Sequence, residues 1–221
     1  HFGKDRRRYA IARGALRTIL AGYLEEGPEQ LRFQLGRFGK PCLAGLPDQT
    51  GGNRAADRRG VGEARAAASS PRLHFNLSHC RDLALIAVSR ERMVGVDVET
   101  IRDVGKLDSI VKRYFSGEEK RLLASVAPGE HPRTLLTLWS RREAAAKALG
   151  LDLSAALSAV EVPVVPSGEP AEAPRLADIK TDRGEMRPVW TIRDLELDED
   201  HVGAVCHEGL QIPVAYRDFD G

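Results

Sequence analysis

Trp139-Ser-Arg-Arg-Glu143-Ala-Ala-Ala-Lys147-Ala-Leu-Gly150 is the stretch around which the rest of the chain is organised. Trp139, Glu143 and Lys147 stand at i, i+4 and i+8. On an α-helix this puts an aromatic ring, a carboxylate and an ammonium in line on one face. Leu135, Leu136, Leu138, Ala144, Ala145, Ala146 and Leu149 favour a helix, and Gly150 falls where a C-terminal cap belongs. Taken alone, the face is explained by a half-buried Trp and a surface Glu–Lys pair, which is a weak interaction.

A second acidic pair, in Met93-Val-Gly-Val-Asp97-Val-Glu99-Thr100, changes that balance. Alternation predicts a strand with Val94, Val96 and Val98 turned to the core and Gly95, Asp97 and Glu99 to the other side. Two carboxylates about 7 Å apart on one strand face repel each other unless a cation lies between them. An all-oxygen ligand set favours Mg²⁺, with Mn²⁺ as a substitute. The bland alternative is an exposed polar strand face. Glu143, on a helix that can face this strand, is the third carboxylate.

Bulk properties exclude several classes. The chain has 221 residues, enough for one large domain or two of about 100 each. Its 42% hydrophobic and 29% charged content is that of an ordinary soluble globular protein. A net charge of +1 does not announce a nucleic-acid partner. Basic charge is local: Lys4, Arg6, Arg7, Arg8, Arg13 and Arg17 crowd the start. They form either a solvated face or an anion site at a helix N-terminus. Cys42, Cys80 and Cys206 are odd in number and form no CxxC pair, so neither zinc nor a disulfide framework is expected. No apolar run reaches about 18 residues and no signal peptide opens the chain, so a cytoplasmic location without membrane contact is expected. The chain opens at His1, which we read as a trimmed N-terminus.

The rest of the chain fits an α+β pattern. Residues 5–25 carry a helical apolar stripe from Ile11 to Leu24. Leu31–Leu35 suits a short strand, and Gly36–Pro41 is turn chemistry holding Lys40. Residues 47–72 are expected to form a long mobile surface loop. Leu73–Val88 reads as strand, turn and strand, the second apolar enough for burial on both faces. His74 and the dyad Ser78-His79 lie on the first. Two helices are expected within Ile101–Leu123, with a capping box from Ser116 to Glu119 that fully explains Glu119 in structural terms. Strands are expected at Ala159–Val165, Pro188–Leu197, Val202–Cys206 and Gln211–Tyr216, with a long hairpin loop over Pro166–Pro188. A faint echo between the halves (Phe2 and Phe115 before charged helix starts) hints at duplication.

Gly95-Val-Asp97-Val-Glu99 and Trp139-Ser-Arg-Arg-Glu143-Ala-Ala-Ala-Lys147 together resemble the signature of the 4′-phosphopantetheinyl transferases. Gly39-Lys40-Pro41 and Phe75-Asn76-Leu77-Ser78-His79 resemble two further motifs of that family, in the family's order, so that the likeness covers most of residues 4–155. The resemblance implies an α+β fold of the larger, Sfp-like class: a monomeric pseudo-dimer of two similar α+β halves, 1–94 and 95–221, with the active site at their interface. It implies transfer of 4′-phosphopantetheine from the co-substrate coenzyme A to a serine of an apo acyl or peptidyl carrier protein, releasing adenosine 3′,5′-bisphosphate. By the same resemblance, Asp97, Glu99 and Glu143 hold Mg²⁺ against the diphosphate and Lys147 neutralises phosphate charge. Arg8, Ser78 and His79 meet the 3′-phosphate, and Lys40 and Pro41 border the adenine. Glu119 falls where the family places a carboxylate that activates the serine, so its capping role has a competitor.

The chain departs from the family pattern at several points. Arg142 replaces a lysine, Cys80-Arg81 replace Ser-Gly after His79, and Asp152 replaces the second glycine after the signature helix. The resemblance also implies an N-terminal strand, which would be expected ahead of His1. Two other readings stay open: a different Mg²⁺-dependent enzyme acting on nucleotide diphosphates, and a non-catalytic module that binds carrier proteins.

Overall fold

A computed structural model of the chain describes residues 2–36, 39–44, 73–90, 92–164, 175–179, 189–210 and 213–219. The loop expected at 47–72 lies outside the described residues.

Helix α1 (Phe2–Leu24) opens the chain and buries Ala12, Leu16, Leu20 and Ala21 along one stripe. A hairpin of β1 (Phe33–Leu35) and β2 (Pro41–Leu43) follows, closed by Gly36 N–H donating to the Lys40 carbonyl at 2.8 Å. Next comes an antiparallel ribbon, β3 (Leu73–Cys80) and β4 (Leu83–Arg90). Leu16, Leu20, Ala21, Leu31, Leu43, Leu73 and Phe75 form one hydrophobic cluster from these elements.

The second part is built on a five-stranded antiparallel sheet. Its order is β5 (Val94–Thr100), β9 (His201–Glu208), β8 (Trp190–Asp194), β7 (Arg175–Ile179), β6 (Val160–Glu161). Between β5 and β6 lie α2 (Asp108–Tyr114), α3 (Gly117–Ser125), α4 (His131–Leu149) and α5 (Leu153–Ala159). Helix α4 packs on the sheet and ends at Gly150, whose φ of 64° is the left-handed cap conformation. A separate cluster, running from Val104 through Leu136, Ala144 and Ile192 to Cys206, is its core.

The approach of α4 to β5 depends on Gly95. A Cβ there would lie 2.2 Å from the Ala144 carbonyl oxygen and 2.3 Å from the Ala148 nitrogen, both backbone atoms. The small side chains of Ala144, Ala145 and Ala148 complete this close contact. The capping box expected at α3 is present: Ser116 Oγ accepts from Glu119 N–H at 3.2 Å, and Glu119 Oε2 accepts from Ser116 N–H at 2.6 Å.

Three expectations are corrected. Strand β4 is half-buried along its length rather than covered on both faces. It pairs with β3 in a two-stranded ribbon, and double burial needs a layer on each side. The loop expected over 166–188 contains strand β7, which pairs Ala177 with Trp190; pairing to a neighbouring strand, not local pattern, makes that segment a strand. The strand expected at Gln211–Tyr216 is not formed over its described residues 213–216. Pro213 offers no N–H to a ladder there.

Candidate functional site

Strand β5 carries Asp97 and Glu99 on the side that faces α4, so the face is covered rather than exposed. Ser140 Oγ donates to the Asp97 carbonyl at 3.3 Å and ties the helix to the strand. One and two turns further along α4, Glu143 and Lys147 follow on the same side as Trp139, as the i, i+4, i+8 spacing requires. The other approach to β5 is made by β3. Asn76 Oδ1 accepts from Val96 N–H at 2.9 Å, and Ser78 Oγ accepts from Val98 N–H at 3.4 Å. Side chains two residues apart on β3 therefore satisfy the edge of β5 and bring the two parts of the molecule together.

These elements enclose a cavity of about 670 Å³ lined by Ser78, His79, Asp97, Glu99, Glu143 and Lys147 together with Gly39, Pro41, Tyr9, Arg13 and Arg102. Asp97 is 4% exposed. Its Oδ1 accepts from Lys147 Nζ at 2.6 Å and from Ser78 Oγ at 3.0 Å, while Lys147 Nζ also donates to Ser78 Oγ at 3.1 Å. Asp97 Oδ2 is buried with no hydrogen-bond partner. Glu99 meets Arg102 at 3.2 Å, and Glu143 is 4.0 Å from Lys147.

The electrostatics of the three carboxylates are uneven. Burial raises the Glu99 pKa, and the charge of Asp97 raises it further, against the pull of Arg102, the Trp139 indole and Lys147. Burial, then Asp97, likewise raises Glu143, with Lys147 opposing. Burial first, and the neighbouring charge of Asp97 second, thus oppose ionisation of both glutamates. An orphaned carboxylate oxygen beside two carboxyls with raised pKa values is a donor set that fits a hard divalent cation. Among the described residues, however, no three His, Cys, Asp or Glu side chains are drawn tightly enough together to hold a metal ion as they stand. The Lys147 ammonium occupies the place nearest Asp97.

Other predicted site residues sit elsewhere. Arg8 bonds Asp82 in the β3–β4 turn at 2.8 Å, outside the cavity lining. Pro41 lines the cavity but Lys40 does not; its ammonium donates to the main-chain oxygens of Val94 at 3.2 Å and Ala148 at 3.3 Å. Glu119 is 1% exposed and lies away from the cavity. Arg142 donates to Glu119 Oε1 through Nε at 3.1 Å and to Oε2 through Nη2 at 2.6 Å, so both oxygens are engaged. Arg81, where the resembling family has glycine, has φ +43°, the left-handed region that favours glycine. Cys42, Cys80 and Cys206 are free thiols.

Sequence reasoning missed the service of Asn76 to β5, the Glu99–Arg102 pair and Tyr9, whose ring meets His79 edge-on at 6.4 Å. Asn76 was detectable as a polar residue two positions from Ser78 on the same strand face.

Comparison with known proteins gives the family. The family model of the 4′-phosphopantetheinyl transferase superfamily matches residues 93–206. The 4′-phosphopantetheinyl transferase HetI of Nostoc sp. is 34% identical over 210 residues, spanning 95% of this chain and 74% of that protein. A 4′-phosphopantetheinyl transferase of Bacillus subtilis is 27% identical over 203 residues (92% of this chain, 75% of that protein). The Sfp enzyme of Bacillus subtilis strain 168 is 23% identical over the same lengths. The chain belongs to the 4′-phosphopantetheinyl transferase superfamily and is an enzyme of that kind. Among the described residues no helix is long and apolar enough to cross a membrane.

Proposed function

We propose that the enzyme moves 4′-phosphopantetheine from coenzyme A to a serine hydroxyl of an apo acyl or peptidyl carrier protein. The serine oxygen attacks the pantetheine-side phosphorus, the diphosphate P–O bond breaks, and adenosine 3′,5′-bisphosphate leaves with the bonding electron pair. The serine proton passes to a base. The observation that carries this reading is one cavity that gathers Asp97, Glu99, Glu143, Lys147, Ser78 and His79 between the two parts of the chain.

Asp97, Glu99 and Glu143 are the residues that would hold Mg²⁺ or Mn²⁺, whose contribution would be to neutralise charge on the diphosphate. Lys147 supplies a fixed cation beside them, and Ser78 holds both Lys147 and Asp97 in place. Ser78 and His79, with Arg13 across the same cavity, form a wall suited to the nucleotide phosphate. For the serine proton, Glu143 lines the cavity, whereas Glu119 is engaged on both oxygens. We therefore give Glu119 a positioning role through Arg142.

We read the molecule as a monomeric, Sfp-like pseudo-dimer divided near residue 95. The two hydrophobic clusters support this reading, because among the described residues the first draws on Leu16 to Val88 and the second on Met93 to Cys206.

The test is intact-protein mass spectrometry of an apo carrier protein incubated with the enzyme, coenzyme A and Mg²⁺. Gain of one phosphopantetheine on the serine, abolished by EDTA, is expected. Coenzyme A turnover without any carrier would instead indicate a nucleotide diphosphate hydrolase. Carrier binding without transfer or metal-dependent coenzyme A affinity would indicate a non-catalytic module.

A further inference from the structure

Lys40 is a half-buried cation that the mechanism above does not use. It stands in the turn between β1 and β2, next to Gly39 and Pro41, which line the cavity. Its Nζ crosses to the other part of the molecule and donates to two main-chain oxygens on two different elements. These are Val94 at the start of β5 (3.2 Å) and Ala148 in the last turn of α4 (3.3 Å). The second is one of the carbonyls that every helix leaves unpaired at its C-terminus, where the helix dipole favours a cation. No carboxylate among the described residues pairs with it.

We infer that Lys40 is a positioning residue: its ammonium clamps the Gly39–Pro41 wall of the cavity onto β5 and α4, the elements that carry Asp97 and Lys147, without itself touching the ligand. Chemistry favours lysine for this task. A compact ammonium on a long stem can reach two carbonyls 54 and 108 positions away in sequence and bridge them with separate N–H donors. Burial lowers its pKa to about 8, and the Cys206 and Cys42 thiols face it from β9 and β2. The Cys206 thiol is itself pushed well up by burial and stays neutral. The clamp is therefore protonated at neutral pH and loses its charge as the pH rises through about 8.

The inference rests on the coenzyme A reading for its effect on binding but not for the clamp itself, and the experiment separates the two. Hydrogen exchange of the full chain without ligand should show faster exchange in Lys40→Met within Gly39–Leu43 and the last turn of α4, and little change in Lys40→Arg. Unchanged exchange in a folded Lys40→Met would overturn the clamp. Calorimetry with coenzyme A and with 3′-dephospho-coenzyme A then reads positioning. Lys40→Met should lose about tenfold in affinity at pH 7, equally for both ligands. The gap to the parent should narrow between pH 7 and 9. A loss confined to coenzyme A would mean that Lys40 touches the 3′-phosphate and would overturn the positioning role. Absence of binding by the parent enzyme would sink the coenzyme A reading and leave the exchange result to decide the clamp.

Discussion

Arg142 and Glu143 are neighbours on α4 yet sit in opposite electrostatic worlds. Arg142 is 1% exposed and saturated: Glu119 takes two of its N–H groups, and the carbonyls of Leu157 and Val160 take Nη1 at 3.2 and 2.5 Å. Its guanidinium also lies 5.2 Å from the Phe115 ring centre. On the other side of the helix, burial and the charge of Asp97 hold the pKa values of Glu99 and Glu143 up, and Asp97 Oδ2 is buried with no hydrogen-bond partner. A satisfied buried ion pair explains itself within the fold, whereas an unsatisfied carboxylate cluster in a cavity does not. The comparison separates a charge that holds the structure from charges held for a ligand.

The largest expected effect tests the second side. Asp97→Asn keeps a partner for Ser78 but removes the charge at the centre of the cluster. Transfer should fall by about a thousandfold or more, with circular dichroism unchanged. Near-normal activity would break the contrast, because the unsatisfied cluster would then have no task.

Next comes the saturated side. Glu119→Ala leaves Arg142 buried without its counter-charge and removes half of the α3 capping box. A stability loss of about 3–5 kcal/mol is expected in urea unfolding. If stability holds and only kcat falls, Glu119 belongs with the chemistry and the contrast fails.

A smaller effect sharpens the comparison through pH. Glu143 has a raised pKa in the fold, so the folded state binds more protons than the unfolded one between the unfolded value of 4.5 and the folded value. Its contribution therefore turns against stability as the pH rises through that window and levels off above it. Glu143→Gln should be more stable than the parent by about 1 kcal/mol at pH 7 and equal to it in strong acid, while losing transfer. A variant destabilised at pH 7 would show that the carboxylate is structural.

The smallest effect concerns the turn beside the cavity. Arg81→Gly relieves a left-handed φ and should stabilise by about 1 kcal/mol, read as a rise in Tm. No gain would mean that Arg81 makes compensating contacts at the site.

Local pattern made much of the molecule legible. The α4 helix, its Gly150 cap, the Ser116–Glu119 capping box, the strand over Val94–Thr100 and the β3–β4 hairpin follow from spacing and turn chemistry over a few residues. Strand β7 was not legible, because its neighbour β8 makes it a strand. Nor was the half-burial of β4, because the apolar side chains that suit a doubly covered strand also suit a ribbon lying on one.

The same division runs through the site. By itself the sequence determined that three carboxylates and a lysine lie on one strand face and one helix face, since backbone periodicity sets which side chains share a side. Only the tertiary structure decided that Lys147 rests on Asp97, that Glu119 is spent on Arg142, and that Lys40 turns inward to Val94 and Ala148. Those choices depend on which groups across the fold compete for the same charge or carbonyl, and no local period records that competition.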